Sequence, residues 1–251
     1  MPPLTLHMAV ARDVADRLRI ASIDKERGNL YMGSTVPDVR AITHWEREQT
    51  HFFDVNNFEE QSSVAEFLRA YPDLAEAKRL QRPAQAFVAG YLTHLVMDET
   101  WINAIYRPYF GERSPLGGDL RAKVMDRALQ FAMDSERRSE QDLMAHISAE
   151  VMRADLEIDV GVVDRDTLRR WYDIVAEAVS GPADWERFRR AVRRHIGDTG
   201  DREEAFQEMM RALPDMVDET VRYLTPERMR WFMEESTVRS LQTVKEYVDC
   251  A

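Results

Sequence analysis

The sequence predicts an all-α protein, and three observations support that fold class. Apolar residues recur at helical spacing through most of the 251-residue chain. Several of these segments begin at residues that favour helix starts, as at Asp164, Pro182 and Thr225. Period-two alternation flanked by turns is lacking, apart from a short ambiguous piece at 156–163. We therefore expect roughly eight to ten helices and no sheet.

The N-terminal segment is expected to form a helix followed by a loop. Residues 4–20 have apolar side chains at helical spacing, and His7 lies in the same stripe, which predicts that its side chain faces inward. Residues 28–38 contain two glycines and a proline, which favour a loop. Because that segment is also rich in apolar residues, we expect the loop to pass close to the core.

A long buried helix is predicted in the middle of the first half. Before it, Ser63 followed three residues later by Glu66 is typical of a capping box and predicts a short helix, and another is expected at 74–80. Pro83 is suited to the first turn of the long helix, which is expected to end before Pro108. Its residues are apolar nearly all the way round, which indicates a buried position.

The second half of the chain is predicted to support the first. Its helical patterns are charged and amphipathic and contain few residues suited to chemistry. We therefore expect a functional site in residues 1–105 and supporting helices over 106–251, within a single all-α domain that covers 1–251. The supporting helices are expected at 120–134, 139–153, 164–179, 182–195, 202–213 and 226–248.

Composition excludes several classes of function and partner. The formal net charge of −11, without a basic stripe, argues against duplex nucleic acid and against docking on an anionic membrane. No segment reaches the roughly 18 uninterrupted apolar residues of a membrane span. The N-terminus lacks the pattern of a signal peptide, so a cytoplasmic location is expected. Cys250 is the only cysteine, which excludes an internal disulfide and a cysteine zinc site. The oligomeric state stays open.

The long buried helix, residues 84–101, carries His94 and Asp98 in its middle. Residues four apart lie on one face of a helix, so these two side chains are expected to be neighbours. Burying an aspartate costs several kcal/mol or more unless a cation or hydrogen-bond donors compensate it. A buried ion pair with the histidine is one such arrangement, and a bound metal ion is the other.

Three further residues favour the metal ion. His7 faces inward, His51 precedes two phenylalanines, and Asp38 follows a proline that restricts its backbone. Taken singly, each has a structural explanation, such as a hydrogen-bonded core histidine or a turn aspartate, whereas one metal site explains them all. Three imidazoles and two carboxylates suit zinc, manganese, iron or nickel. The predicted ligands are His7, Asp38, His51, His94 and Asp98.

The remaining histidines are weaker candidates. His44 lies among polar residues and is expected beside the site or toward a substrate at most. His146 and His195 lie on charged amphipathic helices, where a position at the surface or the edge of the core is expected. Four aromatic residues are candidate walls of a substrate pocket, although core positions at helical spacing explain them as well: Tyr31, Trp45, Trp101 and Tyr106.

The order of these motifs resembles the zinc-dependent phospholipase C family. His7 comes first, followed by Gly-Asn-Leu-Tyr-Met-Gly-Ser-Thr-Val-Pro-Asp at 28–38, then Thr-His-Phe around His51. Gly-Tyr-Leu-Thr-His-Leu-Val-Met-Asp at 90–98 completes the set. The resemblance covers about the first 105 residues and lies in the order and content of the motifs, since each motif alone is short.

The resemblance implies a multi-helix bundle of the phospholipase C/P1 nuclease type with a cluster of zinc ions. It places the five predicted ligands at metal-binding positions, with Asp98 bridging two metals. Two features differ from the family: six residues precede His7 where the family has an N-terminal tryptophan ligand, and residues 99–118 lack the histidines of a further zinc site. We therefore expect one or two ions, zinc first, with iron, manganese or nickel as alternatives.

The resemblance also implies a function. The expected reaction is hydrolysis of a phosphoester, phospholipase C-like or another phosphodiester or monoester, on a small-molecule or lipid substrate. A metal-activated water attacks phosphorus in such a reaction, and Asp38 or Asp98 would orient that water or take its proton. The alternative is a metal-binding helical scaffold or sensor without catalytic activity, so whether the chain is an enzyme stays open.

Overall fold

A computed structural model describes residues 2–181, 185–196, 200 and 203–249, and all regular elements in this part of the chain are helical. The all-α prediction is therefore confirmed. The described residues form fourteen α-helices, more than the eight to ten expected. Three of them are single four-residue turns that produce no periodic signal, and residues 27–33 form a helix where a loop was predicted. No helix in these residues is both long and apolar enough to cross a bilayer.

The first half of the chain contains seven α-helices, three short 3-10 turns and a π-helix. The 3-10 turns are Val36–Val39, Pro72–Leu74 and Ala77–Arg79, and the π-helix is Ile102–Phe110. The α-helices are α1 (Leu4–Leu18), α2 (Ala21–Asp24), α3 (Arg27–Gly33), α4 (Arg40–Thr43), α5 (Glu48–His51), α6 (Ser63–Ala70) and α7 (Arg82–Trp101).

The second half contains seven longer helices, close to the predicted ranges except that 202–213 covers only part of two helices. The proposed start at Pro182 lies outside the described residues, as do Cys250 and the side chain of His195. The ambiguous piece at 156–163 forms neither helix nor strand. The helices are α8 (Leu120–Ser139), α9 (Gln141–Val151), α10 (Arg165–Val179), α11 (Trp185–Ile196), α12 (Glu203–Arg211), α13 (Leu213–Leu224) and α14 (Pro226–Asp249).

Helix α7 lies at the centre of the first half. Residues 84–98 of this helix are all buried, as its apolar composition predicts. It is covered by α1, α2 and α3 from the N-terminal part, by α6, and by α14 from the far end of the chain. Any polar group in the middle of α7 must therefore find its partners among side chains from these neighbours.

The prediction of a loop at 28–38 is wrong, because most of this segment is helical. Its glycines serve close packing. A Cβ atom on Gly33 would lie 1.9 Å from the carbonyl oxygen of Phe87, and one on Gly90 would lie 2.0 Å from that of Leu30. Helices α3 and α7 therefore cross with backbone against backbone, and this tertiary contact outweighs the low helix propensity of glycine.

The long α-helix ends at Trp101, before Pro108 as predicted, but the helical path does not stop at the proline. The chain continues from α7 directly into the π-helix, which includes Pro108 and ends with a hydrogen bond from Gly111 N to Tyr106 O of 2.7 Å. The wider π turn accommodates a proline ring, which in an α-helix clashes with the carbonyl four residues earlier.

Two smaller predictions also need correction. The N-cap of α6 is Ser62, whose hydroxyl accepts a hydrogen bond from Ala65 N, whereas the Ser63 hydroxyl donates to Glu99. The helix predicted at 74–80 is a pair of 3-10 turns. Both differences lie at element ends, where side chains from distant segments compete with local signals.

Candidate metal centre

The structure brings the five predicted ligands together from separate elements. His7 lies in α1, Asp38 in the turn Val36–Val39, His51 at the end of α5, and His94 and Asp98 in α7. The donor atoms of two overlapping groups lie within 4.8 Å of one another. One group is His7, His94 and Asp98, and the other is Asp38, His51 and His94. A buried group of this composition can hold a metal ion.

Asp98 is the carboxylate around which the histidines gather. Its Oδ2 lies 3.3 Å from His51 Nε2 and 3.6 Å from His94 Nε2. Its Oδ1 lies 3.6 Å from His7 Nε2. Since the Asp98 side chain is only 3% exposed, its compensation must come from these neighbours rather than from water.

The ring of His94 is oriented by the main chain. Its Nδ1 lies 2.8 Å from the carbonyl oxygen of Ser34. A carbonyl only accepts, so Nδ1 carries the hydrogen and Nε2 faces the carboxylate. This arrangement, in which the far ring nitrogen donates to a fixed acceptor, is the one found for histidines that bind metals. The ring also stacks on His7, with centroids 3.8 Å apart and planes inclined by 9°.

His51 is held at the end of α5 by its neighbour. Its Nδ1 lies 2.8 Å from the Thr50 hydroxyl, and the Tyr91 hydroxyl of α7 donates to the Thr50 carbonyl at 2.6 Å. The other ring nitrogen, Nε2, lies 3.6 Å from Asp38 Oδ1 and 3.3 Å from His94 Nε2. The short turn α5 is therefore tied to α7 and presents its histidine to the centre.

Arg47 belongs to the centre as well, although the sequence did not single it out. Its Nη2 donates to Asp98 Oδ2 at 3.1 Å. Arg47 precedes His51 by four residues, a spacing that places both on one side of a helical turn. This four-residue spacing is the feature by which the sequence could have identified Arg47. Arg47 was not predicted because an arginine among polar residues is ordinarily solvated.

The histidines of the centre differ in their affinity for protons. Burial lowers the pKa of His7 to about 3, with a further contribution from His94. Burial and the charge of Arg47 lower the pKa of His51 to about 4. Burial also acts on His94, but the charge of Asp98 outweighs it and raises the pKa of that imidazole. His7 and His51 are therefore neutral at ordinary pH and offer nitrogen lone pairs.

The two carboxyl groups are ionised. Burial raises the pKa of Asp98, but His94, His51 and Arg47 oppose it, and the pKa falls well below its ordinary range. Burial acts on Asp38 in the same direction, and the hydrogen bond from His51 and the charge of His94 again lower the pKa overall. Two carboxylates therefore lie beside the neutral imidazoles of His7 and His51, and carboxylates with neutral imidazoles are a suitable donor set for a divalent ion.

Four polar atoms of the centre are buried without a hydrogen-bond partner. They are both ring nitrogens of His7, Oδ1 of Asp98 and Nε of Arg47. An unpaired buried polar atom costs about 1–3 kcal/mol, and more when the group is charged. A cation between His7 and Asp98 would satisfy one ring nitrogen and Oδ1 at once, so the residues present fit a metal ion.

The centre reaches solvent through two of its side chains. The three histidine side chains are 0% exposed, whereas the side chain of Arg47 is 14% exposed and that of Asp38 is 24% exposed. Two surface recesses are lined by none of the five predicted ligands. Asp16, Arg19, Asp24 and Arg27 line one of about 560 Å³, while one of about 440 Å³ is lined by Glu48, Phe52, Phe53, Asp54, Glu60, Gln61, Ser62 and Glu66.

Other residues considered from the sequence lie away from the centre. His44 ends α4 in a left-handed conformation with φ 59° and is exposed. Tyr31 is fully buried, and its hydroxyl lies 3.1 Å from His146 Nε2. Tyr31 is therefore a core residue rather than a pocket wall. Trp45 and Tyr106 are partly buried and pack against the hydrophobic core.

A second buried carboxylate, Asp126 in α8, was not predicted. The indole Nε1 of Trp101 donates to Oδ1 at 3.1 Å, and the Gln130 amide donates to Oδ2 at 2.9 Å. Trp101 is thus a core residue with a satisfied donor, not a pocket wall. Because both oxygens of Asp126 are paired with donors, this carboxylate needs no ion.

The fold and the centre define a class: an all-α protein with a buried histidine and aspartate group that can hold a metal ion. Comparisons with protein-family models, with curated proteins and with solved structures find no match. Any more specific function must therefore be argued from the geometry of the centre and from the motifs of the sequence.

Proposed function

We propose that this protein is a metal-dependent phosphoester hydrolase. The observation that carries the proposal is the set of buried unpaired atoms on His7 and Asp98, within a group whose histidines are otherwise oriented. At Asp126, a buried carboxylate with a structural role, both oxygens accept hydrogen bonds. The choice of phosphoesters is supported by the resemblance to zinc-dependent phospholipases C in the first 105 residues.

Zinc is the metal that suits this donor set best. Neutral imidazoles with a small number of carboxylates are common zinc ligands, whereas calcium and magnesium prefer sites made of oxygen. Iron, manganese and nickel accept the same ligands and remain alternatives. His7, His94 and Asp98 would hold the ion, together with His51 and Asp38 from the second group.

The chemistry divides between the ion and the side chains. A bound divalent ion lowers the pKa of a coordinated water and stabilises negative charge on a phosphoryl oxygen. Asp38 is the most exposed carboxylate of the centre, so it would accept a hydrogen bond from the attacking water and orient it toward phosphorus. Asp98 and the buried histidines would hold their positions and exclude bulk water from the far side.

The proposal is tested by metal analysis and by turnover of chromogenic phosphate monoesters and diesters. Protein purified without added metal should contain zinc or another transition metal, and chelation should abolish turnover. Asp38→Asn should still bind the metal through the other four ligands and lose about 10²- to 10⁴-fold in kcat, whereas Asp142→Asn, at an exposed position of α9, should change neither metal content nor kcat. A filled site without turnover on any ester would favour the scaffold or sensor instead.

A further inference from the structure

We infer that the centre holds a single divalent ion and that Arg47 supplies a second positive charge, which contacts the phosphoryl anion of the substrate. This inference rests on the function proposed above. It reduces the sequence-based expectation of one or two ions to one, and it replaces the bridging role that the resemblance implies for Asp98.

The first argument is that the two groups of donors share one atom. His94 belongs to both groups, and its Nδ1 is already bound to the Ser34 carbonyl. Only Nε2 remains, and one nitrogen lone pair binds one ion. Two ions with three protein ligands each would need a second nitrogen from His94. A single ion can instead draw its ligands from both groups.

The second argument concerns the oxygens of Asp98. A carboxylate that bridges two ions offers one oxygen to each. Here Oδ2 accepts a charge-assisted hydrogen bond from Arg47 at 3.1 Å, whereas Oδ1 has no partner. A single ion at Oδ1 uses the unpaired oxygen and leaves the bond to Arg47 intact.

The third argument is the charge of the centre. Asp38 and Asp98 provide two negative charges and Arg47 one positive charge, since histidines that bind a metal are neutral. One divalent ion changes the single net negative charge into a single positive charge, which attracts a phosphoryl anion. Two ions would leave three positive charges beside side chains that are 0% exposed, and a surplus of buried charge is costly.

The fourth argument is the position of Arg47. Arg47 and Asp38 are the two members of the centre whose side chains are more than 3% exposed, so a substrate that enters from solvent meets these two side chains. The Nη2 atom of Arg47 is bound to Asp98. The planar guanidinium presents further donors that match the geometry of phosphate, so its exposed part can contact a phosphoryl oxygen.

The ion count is tested on the full chain. Protein stripped with a chelator is reloaded with zinc, freed of excess metal and subjected to elemental analysis. We expect one equivalent of zinc per chain. Two bound equivalents, or none, would overturn the inference.

The role of Arg47 is tested by calorimetric titration of the zinc-loaded protein with inorganic phosphate. Arg47→Met should weaken phosphate binding roughly 10- to 100-fold, the loss expected for charge-assisted hydrogen bonds, while zinc stays at one equivalent. Arg27→Met is the matched control, because the Arg27 side chain is also 14% exposed and also binds carboxylates, those of Asp16 and Asp24. This variant should bind phosphate as the wild type does.

Arg47→Lys serves if the methionine variant does not fold. Lysine keeps the charge but is a single point donor, so phosphate affinity should still fall several-fold. Unchanged affinity in a folded Arg47 variant would overturn the assigned role. Neither test needs turnover. One zinc ion and Arg47-dependent phosphate binding without ester hydrolysis would refute the proposed function only, whereas hydrolysis by a two-zinc protein would refute this inference only.

Discussion

Asp98 and Asp126 are two buried carboxylates whose charges are compensated in different ways. Asp98 faces histidines and Arg47, and its Oδ1 is unpaired. Asp126 accepts from Trp101 and Gln130 with both oxygens. Trp101 follows Asp98 by three residues on α7, so one stretch of helix contributes to both environments.

The difference shows which property of a buried carboxylate indicates a metal site. The desolvation cost is similar at both positions, since each residue is at most 2% exposed. At Asp126 two neutral donors and the Arg127 guanidinium, whose Nε lies 3.6 Å from Oδ2, meet that cost, and the result is a structural cross-link. At Asp98 the neighbours include imidazoles whose lone pairs could bind a cation. A carboxylate oxygen without a hydrogen-bond partner, rather than burial alone, distinguishes Asp98 from Asp126.

Loss of the carboxylate separates the two positions most strongly. Structural zinc sites bind with about 10–16 kcal/mol, or roughly 3 kcal/mol for each ligand. Asp98→Ala should therefore weaken zinc binding by more than about 100-fold, whereas Asp126→Ala should leave it unchanged. Competition with a chromogenic chelator measures both. Equal zinc affinities in the two variants would contradict the assignment of Asp98.

The stability of the zinc-free protein, unlike its zinc affinity, should depend on Asp126. Its replacement by alanine leaves the donors of Trp101 and Gln130 without acceptors, at about 1–3 kcal/mol for each buried group. The free energy of unfolding in urea should fall by roughly 2–3 kcal/mol. Asp142→Ala, at an exposed position, should change it by less than about 0.5 kcal/mol. An Asp126→Ala variant with the same free energy of unfolding as the wild type would show that the cross-link is dispensable.

The crossing of α3 and α7 is predicted to matter more to Asp98 than to Asp126. Gly90→Ala forces a methyl group against the Leu30 carbonyl, and overpacking of this kind costs about 1–3 kcal/mol. Because His94 follows by one turn, zinc affinity should fall too. Gly181→Ala is the control, since a Cβ there meets nothing within 4 Å. Urea unfolding and zinc titration of both variants test this, and identical behaviour would contradict the tight crossing.

The last expected effect is on the pH dependence of the free energy of unfolding. His7 and His51 have pKa values of about 3 and about 4 in the folded protein, against 6.5 ordinarily. Below that value the unfolded chain binds protons that the folded chain does not, so stability falls as pH falls from about 6.5 toward 4. Each histidine contributes at most about 1.4 kcal/mol per pH unit. The raised pKa of His94 acts in the opposite direction.

This pH dependence is measured by urea unfolding of the zinc-free protein between pH 7.5 and about 4.5. His7→Gln should give a shallower decline, because its neutral side chain has no proton to exclude. Gly181→Ala changes no titratable group and places its Cβ in open space, so this variant should keep the slope of the wild type. An unchanged slope in His7→Gln would contradict the lowered pKa.

The sequence predicted most of the helices and the grouping of the chemical residues. His94 and Asp98 were accessible because four-residue spacing on an apolar helix has one geometric meaning. His7 followed from its place in an apolar stripe. The segments carrying Asp38 and His51 were located by their motifs, but their meeting with α7 depends on tertiary packing.

The features that were missed depend on contacts between distant segments. The glycines of α3 predict a loop when only the local sequence is considered. In the structure, Gly33 instead allows a close crossing of α3 with α7. Arg47 is ordinary by composition, and only the position of Asp98 gives it a partner. Asp126 lies on a charged amphipathic helix, where nothing in the local pattern indicates that Trp101 donates to it.

The crossing of α3 over α7 makes the orientation of His94 independent of side-chain chemistry. The acceptor of its ring is the main-chain oxygen of Ser34, one residue after Gly33. Every residue at position 34 supplies the same main-chain oxygen, so substitutions of Ser34 should leave this hydrogen bond in place. The imidazole is therefore a fixed reference point, and the other predicted ligands can be varied around it.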